Sequence, residues 1–114
     1  MLSDHNSKEN FRPTEGDALL ARLNSIPIST WNYKSQDRSI RHIGPMAQDF
    51  FAAFQVGEDN KHISTIDADG VALAAVQALY RMVQKKDEQI QALGQQLEEM
   101  RKEIDQLKKS VNAK

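Results

Sequence analysis

"VQALYRMVQKKDEQIQALGQQLEEMRKEIDQLKKSV", residues 76–111, carries the strongest periodic signal in the chain. Val76, Val83, Ile90, Leu97, Ile104 and Val111 recur every seven residues. Leu79, Leu93, Met100 and Leu107 each stand three positions after a member of that set. Apolar residues at these a and d positions form one continuous seam on a helix, the pattern of a coiled coil. Lys86 interrupts the d set, and Gly94 falls on a flanking e position. A single amphipathic helix folding back on its own domain is the alternative. Self-association is favoured, because the seam runs past any core that a region of this size could supply. β-Branched residues at a with Leu at d favour two parallel strands, but Leu97 at a and Met100 at d dilute that preference. On heptads alone the expectation is two chains, with three next.

Upstream of the seam the composition changes. All four Phe, the only Trp, both Tyr and all three Pro lie before residue 82. This predicts a compact α+β region followed by a projecting helix. "RPTEGDALLARLNSIP" reads as a short helix, with Thr14 as cap, Asp17 as a weak capping-box partner and Pro27 as stop. Leu19, Leu20 and Leu23 share its apolar face. "ISTWNYK" and "RSIRHIG" read as the strands of a hairpin, broken at Gly44-Pro45. "MAQDFFAAF" reads as a second short helix, "GEDN" as a loop and "KHISTI" as an extended piece, for two or three short strands in all. The last helix is expected to start near Asp67, whose carboxylate suits its first turn. The expected domains are residues 3–82, compact, and 83–114, a coiled-coil stalk continuous with the helix from near 67.

The bulk composition excludes several classes. In 114 residues, hydrophobic types make up 39%, charged types 27%, and the net charge is −1. No basic footprint for nucleic acid is present. No apolar run reaches membrane-spanning length, and the N-terminus lacks a signal-peptide layout. Without cysteine there are no disulfides or thiolate metal sites. His5, His42 and His62 have no zinc-type spacing. Neither a metal nor a cofactor is expected, and neither a nucleic-acid nor a membrane partner.

The reactive candidates lie in "SDHNSKEN", residues 3–10. Ser3 and Lys8 stand five apart, a spacing that a turn can close and a helix cannot. A serine hydroxyl becomes a nucleophile when a base takes its proton, and lysine serves as that base only when neutral. A free lysine titrates near ~10.4, so loss of water or a neighbouring cation must favour the neutral amine. Attack on the adjacent carbonyl would cut the chain at Leu2–Ser3. His42, at the end of a predicted strand, is where a side chain would be held firmly. The bland reading of all these residues is a solvated leader and a structural histidine.

Taken in order, "SDHNSKEN", "ISTWNYK", "RHIGPMAQDF" and "ISTIDADGVALAAVQALYRMV" resemble the endosialidase-type intramolecular chaperone domain, over roughly residues 3–90. This self-cleaving C-terminal module is found on phage tailspikes and fibres, on some bacterial surface proteins and on myelin regulatory factor. The resemblance implies a serine peptidase with a Ser-Lys dyad, Ser3 as nucleophile and Lys8 as general base. Asp4 and Asn10 match the polar residues beside them, His42 an assisting histidine, and Gln48 the glutamine of "AQ". It also implies a homotrimer through a parallel coiled coil, against the two strands that the heptads favour, and a covalently attached N-terminal passenger. By the same resemblance, the chain would be part of a phage tail or bacterial surface protein. Asn6-Ser7 before Lys8 departs from the basic and large apolar residues that the family often has there. Only Met1-Leu2 precede Ser3, so the passenger is expected on a longer parent chain.

Joined together, these readings describe a chaperone that assembles its passenger before releasing it. Association through the helices raises the effective concentration of neighbouring domains and would complete the site. Holding three chain ends in register lowers the entropic cost of non-local β-structure. Two rivals remain: a non-cleaving trimerisation and folding module, and a coiled-coil adaptor that binds another protein through Trp31, Tyr33 and Phe50. Those aromatics fit a core better.

Overall fold

The computed structural model describes residues 1–113. A 3-10 turn, His5–Ser7, precedes helix α1, Gly16–Ser25. Strands β1, Ser29–Trp31, and β2, His42–Gly44, are followed by α2, Ala47–Phe54, and α3, Thr65–Asn112. The fold is α+β, as the composition and patterning predict. Residues 1–78 form one compact unit, and the residues from 79 onward form a second.

In the first unit, α1 buries Leu19 and half-buries Leu20 and Leu23, the predicted apolar face. Its start differs from expectation. The residue before the helix is Glu15, and no side chain caps it, so the Thr14–Asp17 box does not form. The first helical residue is Gly16, placed so close to α3 that an added Cβ would lie 2.9 Å from Ala78 Cβ. Close approach, rather than capping, positions this end. Pro27 follows directly after Ile26, as the stop signal requires.

The two strands pair antiparallel, with Ser29 opposite Gly44, Thr30 opposite Ile43 and Trp31 opposite His42. They are shorter than "ISTWNYK" and "RSIRHIG" suggest, because hydrogen-bonded turns consume the residues between them. Gln36 N–H donates to Tyr33 O at 3.1 Å, and Ile40 N–H to Asp37 O at 3.0 Å. Asp37 also accepts from the Ser39 amide at 2.9 Å and the Ser39 hydroxyl at 2.7 Å. These bonds, the backbone one first, hold its carboxyl below the usual value. Arg41 braces the open end, donating to Asn32 Oδ1 at 3.2 Å and Thr30 Oγ1 at 3.0 Å.

Helix α2 buries Phe50, whose ring lies 5.0 Å from that of Phe54. It ends on Gln55 in the left-handed region, φ 53°, whose N–H donates to Phe51 O at 2.8 Å. Gly57 follows at φ 98°, a conformation natural to glycine. "KHISTI" forms no strand; its last two residues already belong to α3. Ser64 begins that helix, its Oγ accepting from the Ile66 amide at 3.2 Å, so the cap lies three residues before Asp67. Asp67 sits within the first turn, where a carboxylate is favoured by the helix dipole.

The buried apolar set consists of Leu19, Phe50, Ala75 and Ala78, all in the first unit. In the second unit every residue from Val83 to Ala113 is exposed, including the seam residues Ile90, Leu93, Leu97, Met100, Ile104, Leu107 and Val111. Its helix is held by its own hydrogen-bond ladder, and a long helix with a bare a/d seam is consistent with a coiled coil. No helix among the described residues is long and apolar enough to cross a membrane.

Candidate active site

The first fifteen residues form a small structure with its own ties. Asp4 caps the 3-10 turn: its Oδ1 accepts from the Asn6 amide at 3.2 Å, and its carbonyl from the Ser7 amide at 3.0 Å. An aspartate can fold the backbone ahead of it in this way because its short side chain reaches an amide two residues on. The Lys8 amide then donates to His5 O at 3.3 Å. The consequence is that residues 3 and 8, too far apart on an α-helix to meet, are brought face to face. Lys8 Nζ donates to Ser3 Oγ at 2.7 Å.

The rest of the segment turns away just after the lysine. Asn10 adopts a positive φ of 56°, a conformation that asparagine tolerates better than most residues. The chain then doubles back, stacking Phe11 on His5 with ring centroids 5.2 Å apart and planes 13° from parallel. Asp4 and Asn10 thus have visible local roles, one folding the turn and the other closing it. Ser3, Lys8 and their neighbours are all exposed in the single chain.

His42 is placed elsewhere. Its ring lies between Trp31, 5.1 Å away, and Tyr33, 5.2 Å away. Its Nε2 is 3.0 Å from Gln36 Oε1. A carbonyl oxygen accepts, so Nε2 carries the proton in this arrangement and Nδ1 is left for another partner. Trp31 is fixed in turn by Nε1–H donation to Gly44 O at 3.3 Å. Gln48, on α2, lines a groove with Trp31, Tyr33, Met46 and Ile63. Among the described residues, no hydrogen bond joins His42 or Gln48 to Ser3 or Lys8.

Comparison with known families bears directly on this segment. Residues 3–56 match the family model described as chaperone of endosialidase, whose model bears a peptidase name. Over these residues, a little under half of the chain, the sequence is similar to the chaperone of endosialidase family. The match begins at Ser3 and includes the turn, the hairpin and α2. It stops before α3, short of residue 90, to which the sequence resemblance extends. Heptads are shared by unrelated coiled coils and carry little that is particular to one family. No curated protein matches the chain. The match supports an intramolecular chaperone role.

One cluster was not legible as a unit in the sequence. Asp59 accepts from the Lys61 amide at 2.8 Å, the His62 amide at 3.0 Å and His62 Nδ1 at 3.0 Å. These bonds, that of Lys61 first, lower its carboxyl below the usual value. The signal was the "DNKH" spacing, an Asx-type turn whose aspartate can reach amides two and three residues on.

Proposed function

We propose that this chain trimerises through α3, templates the folding of an upstream passenger, and then releases it by cutting Leu2–Ser3. The observation that carries the proposal is the 2.7 Å contact between Lys8 Nζ and Ser3 Oγ, at the edge of the segment that matches the family. The two atoms are already at proton-transfer distance, and the carbonyl to be attacked belongs to the residue next to the nucleophile.

In the proposed reaction the amine is neutral and the hydrogen bond runs the other way, from Ser3 O–H to Lys8 Nζ. The hydroxyl proton moves to the amine as Oγ bonds to the Leu2 carbonyl carbon. The C–N bond then breaks, and the proton passes from Lys8 to the Ser3 nitrogen. Water hydrolyses the resulting ester, leaving a carboxylate on Leu2 and a free amine and hydroxyl on Ser3. Donors for the oxyanion, His42 among the candidates, come from outside the turn. Assembly takes water from Lys8 and so favours the neutral amine. Removing the template makes unfolding of the passenger effectively one-way.

The test is a fusion that restores an upstream passenger, followed by intact mass. The expected result is two products, the smaller beginning at Ser3, and a full-length chain for Ser3→Ala. A trimeric fusion that stays whole with Ser3 present, or one that is cut without it, would refute the proposal.

A further inference from the structure

The turn that brings Ser3 and Lys8 together is exposed throughout, as is every residue from Met1 to Glu15. Its hydrogen bonds compete with water, so each contributes little alone. The bond nearest the base is also the longest of the turn. The Lys8 amide reaches His5 O at 3.3 Å, against 3.0 Å from Ser7 to the Asp4 carbonyl and 3.2 Å from Asn6 to the Asp4 side chain. Lysine has a long stem with many rotamers. A 2.7 Å contact from its end to Ser3 Oγ therefore needs a backbone that is held still.

A tie of another kind is present. Asp4, Asn6 and Ser7 are small and polar, so His5 carries the only ring between Ser3 and Lys8. Asn10, at φ 56°, reverses the chain and delivers Phe11 to that ring. The two rings lie 13° from parallel with centroids 5.2 Å apart, in the offset-stacked range. Phe11 is still 63% exposed and stacks on no other ring among the described residues. Stacking removes apolar surface from water, so water does not compete for it as it does for an exposed hydrogen bond. Two ties thus meet at His5: its carbonyl holds the Lys8 amide, and its ring holds Phe11. Lys8 sits inside the loop that the stack closes, from residue 5 to residue 11, which narrows the positions its backbone can take.

We propose that the His5–Phe11 stack is a clasp that positions Lys8 against Ser3, which makes both rings positioning residues for the cut at Leu2–Ser3. This rests on the proposed reaction of Ser3 with Lys8. The rings act through the backbone of Lys8 and exchange no proton. A reacting group misplaced by about 1 Å can lose about a hundredfold in rate, so opening the clasp slows the cut without moving it.

The test is the passenger fusion, followed in time by intact mass. Phe11→Leu and His5→Leu keep apolar bulk and remove a ring. Each should slow cleavage by about ten- to a hundredfold, with circular dichroism and oligomeric state unchanged because both positions are exposed. Phe11→Tyr and His5→Phe put a stackable ring back and should rescue the rate. In the 114-residue chain itself, the Phe11 ring current should shift the His5 ring protons upfield in NMR spectra, and Phe11→Leu should abolish the shift. If the parent fusion is cut and Phe11→Leu is cut as fast, the clasp is overturned and the Ser3–Lys8 reading stands. The same holds if the ring-current shift is absent, or if Phe11→Tyr fails to rescue. Failure of His5→Phe to rescue also overturns the clasp, since it gives the imidazole a part in proton transfer. A parent fusion that is never cut overturns both readings.

Discussion

The turn that holds Ser3 and Lys8 and the helix from Val83 to Asn112 are both exposed in the single chain, yet they are held in opposite ways. The turn is tied by Asp4, by the Lys8 amide and by the His5–Phe11 stack, all within nine residues of sequence. The helix is held by its own ladder, and from Val83 to Asn112 it presents a row of large apolar residues to water. One region has its fold fixed by its own local bonds. The other is exposed along every described residue from Val83 onward. Under the proposed function, a Ser3–Lys8 pair preset by local bonds would be switched by what covers it, and the seam would bring that cover. Assembly and cutting would then be one event read at two ends.

The comparison breaks most sharply at the reactive end. Lys8→Arg keeps a cation beside Ser3 but removes a group that can become a neutral base, since guanidinium stays charged. Cleavage of a passenger fusion should fall by about a hundred- to ten-thousand-fold, the range for loss of a general base. Circular dichroism and oligomeric state should be unchanged. Efficient cutting by this variant would mean that Lys8 only orients the turn.

At the other end, Ile90→Asp with Leu97→Asp places charges in the seam. Trimers should dissociate, read by sedimentation, and cleavage should fall with them although every residue of the Ser3 turn is intact. Full cleavage by a strictly monomeric variant would uncouple the two regions and sink the idea that assembly gates the reaction.

Two glycines sharpen the contrast in packing. At Gly16 an added side chain meets Ala78 at 2.9 Å, so Gly16→Val should destabilise the first unit by about 1–3 kcal/mol. At Gly94 nothing lies within 4 Å, so Gly94→Ala should stabilise the helix by about 0.8–1 kcal/mol. Thermal melts of the two variants should move in opposite directions.

How far the sequence revealed these features depended on range. The seam needs only a seven-residue period, and it could be read from Val76 to Val111 without a structure. The α1 face and the α2 aromatics follow the same local logic. The meeting of Ser3 and Lys8 was conditional on a turn, and the Asp4 and Asn10 conformations that make the turn are weak signals alone. The errors came where tertiary contact overrides a local rule. Thr14 is a good cap by type, but Gly16 must reach Ala78 and the helix starts there instead. "KHISTI" is β-rich by propensity, but Ser64 offers a cap and α3 begins inside it. The surroundings of His42 were out of reach for a different reason: its ring is engaged with Trp31, Tyr33 and Gln36, none of which is adjacent to it in sequence.

The smallest expected effect concerns the turn before α3. Hydrogen bonds from Lys61 and His62 keep the Asp59 carboxyl below its usual 3.8. A carboxylate with a lowered folded value contributes stability that is present above the unfolded value and is lost as pH falls through the folded one. The turn should therefore be unchanged at neutral pH and loosen only below about pH 4, where protonation removes an acceptor from two amides at once. Amide exchange at Lys61 and His62 reads this directly. Asp59→Asn should abolish the acid step in their exchange while leaving the Ser3 turn and the seam as they were. An acid step that persists in Asp59→Asn would assign it to another carboxylate, with Asp37 and its Ser39 bonds the next to test.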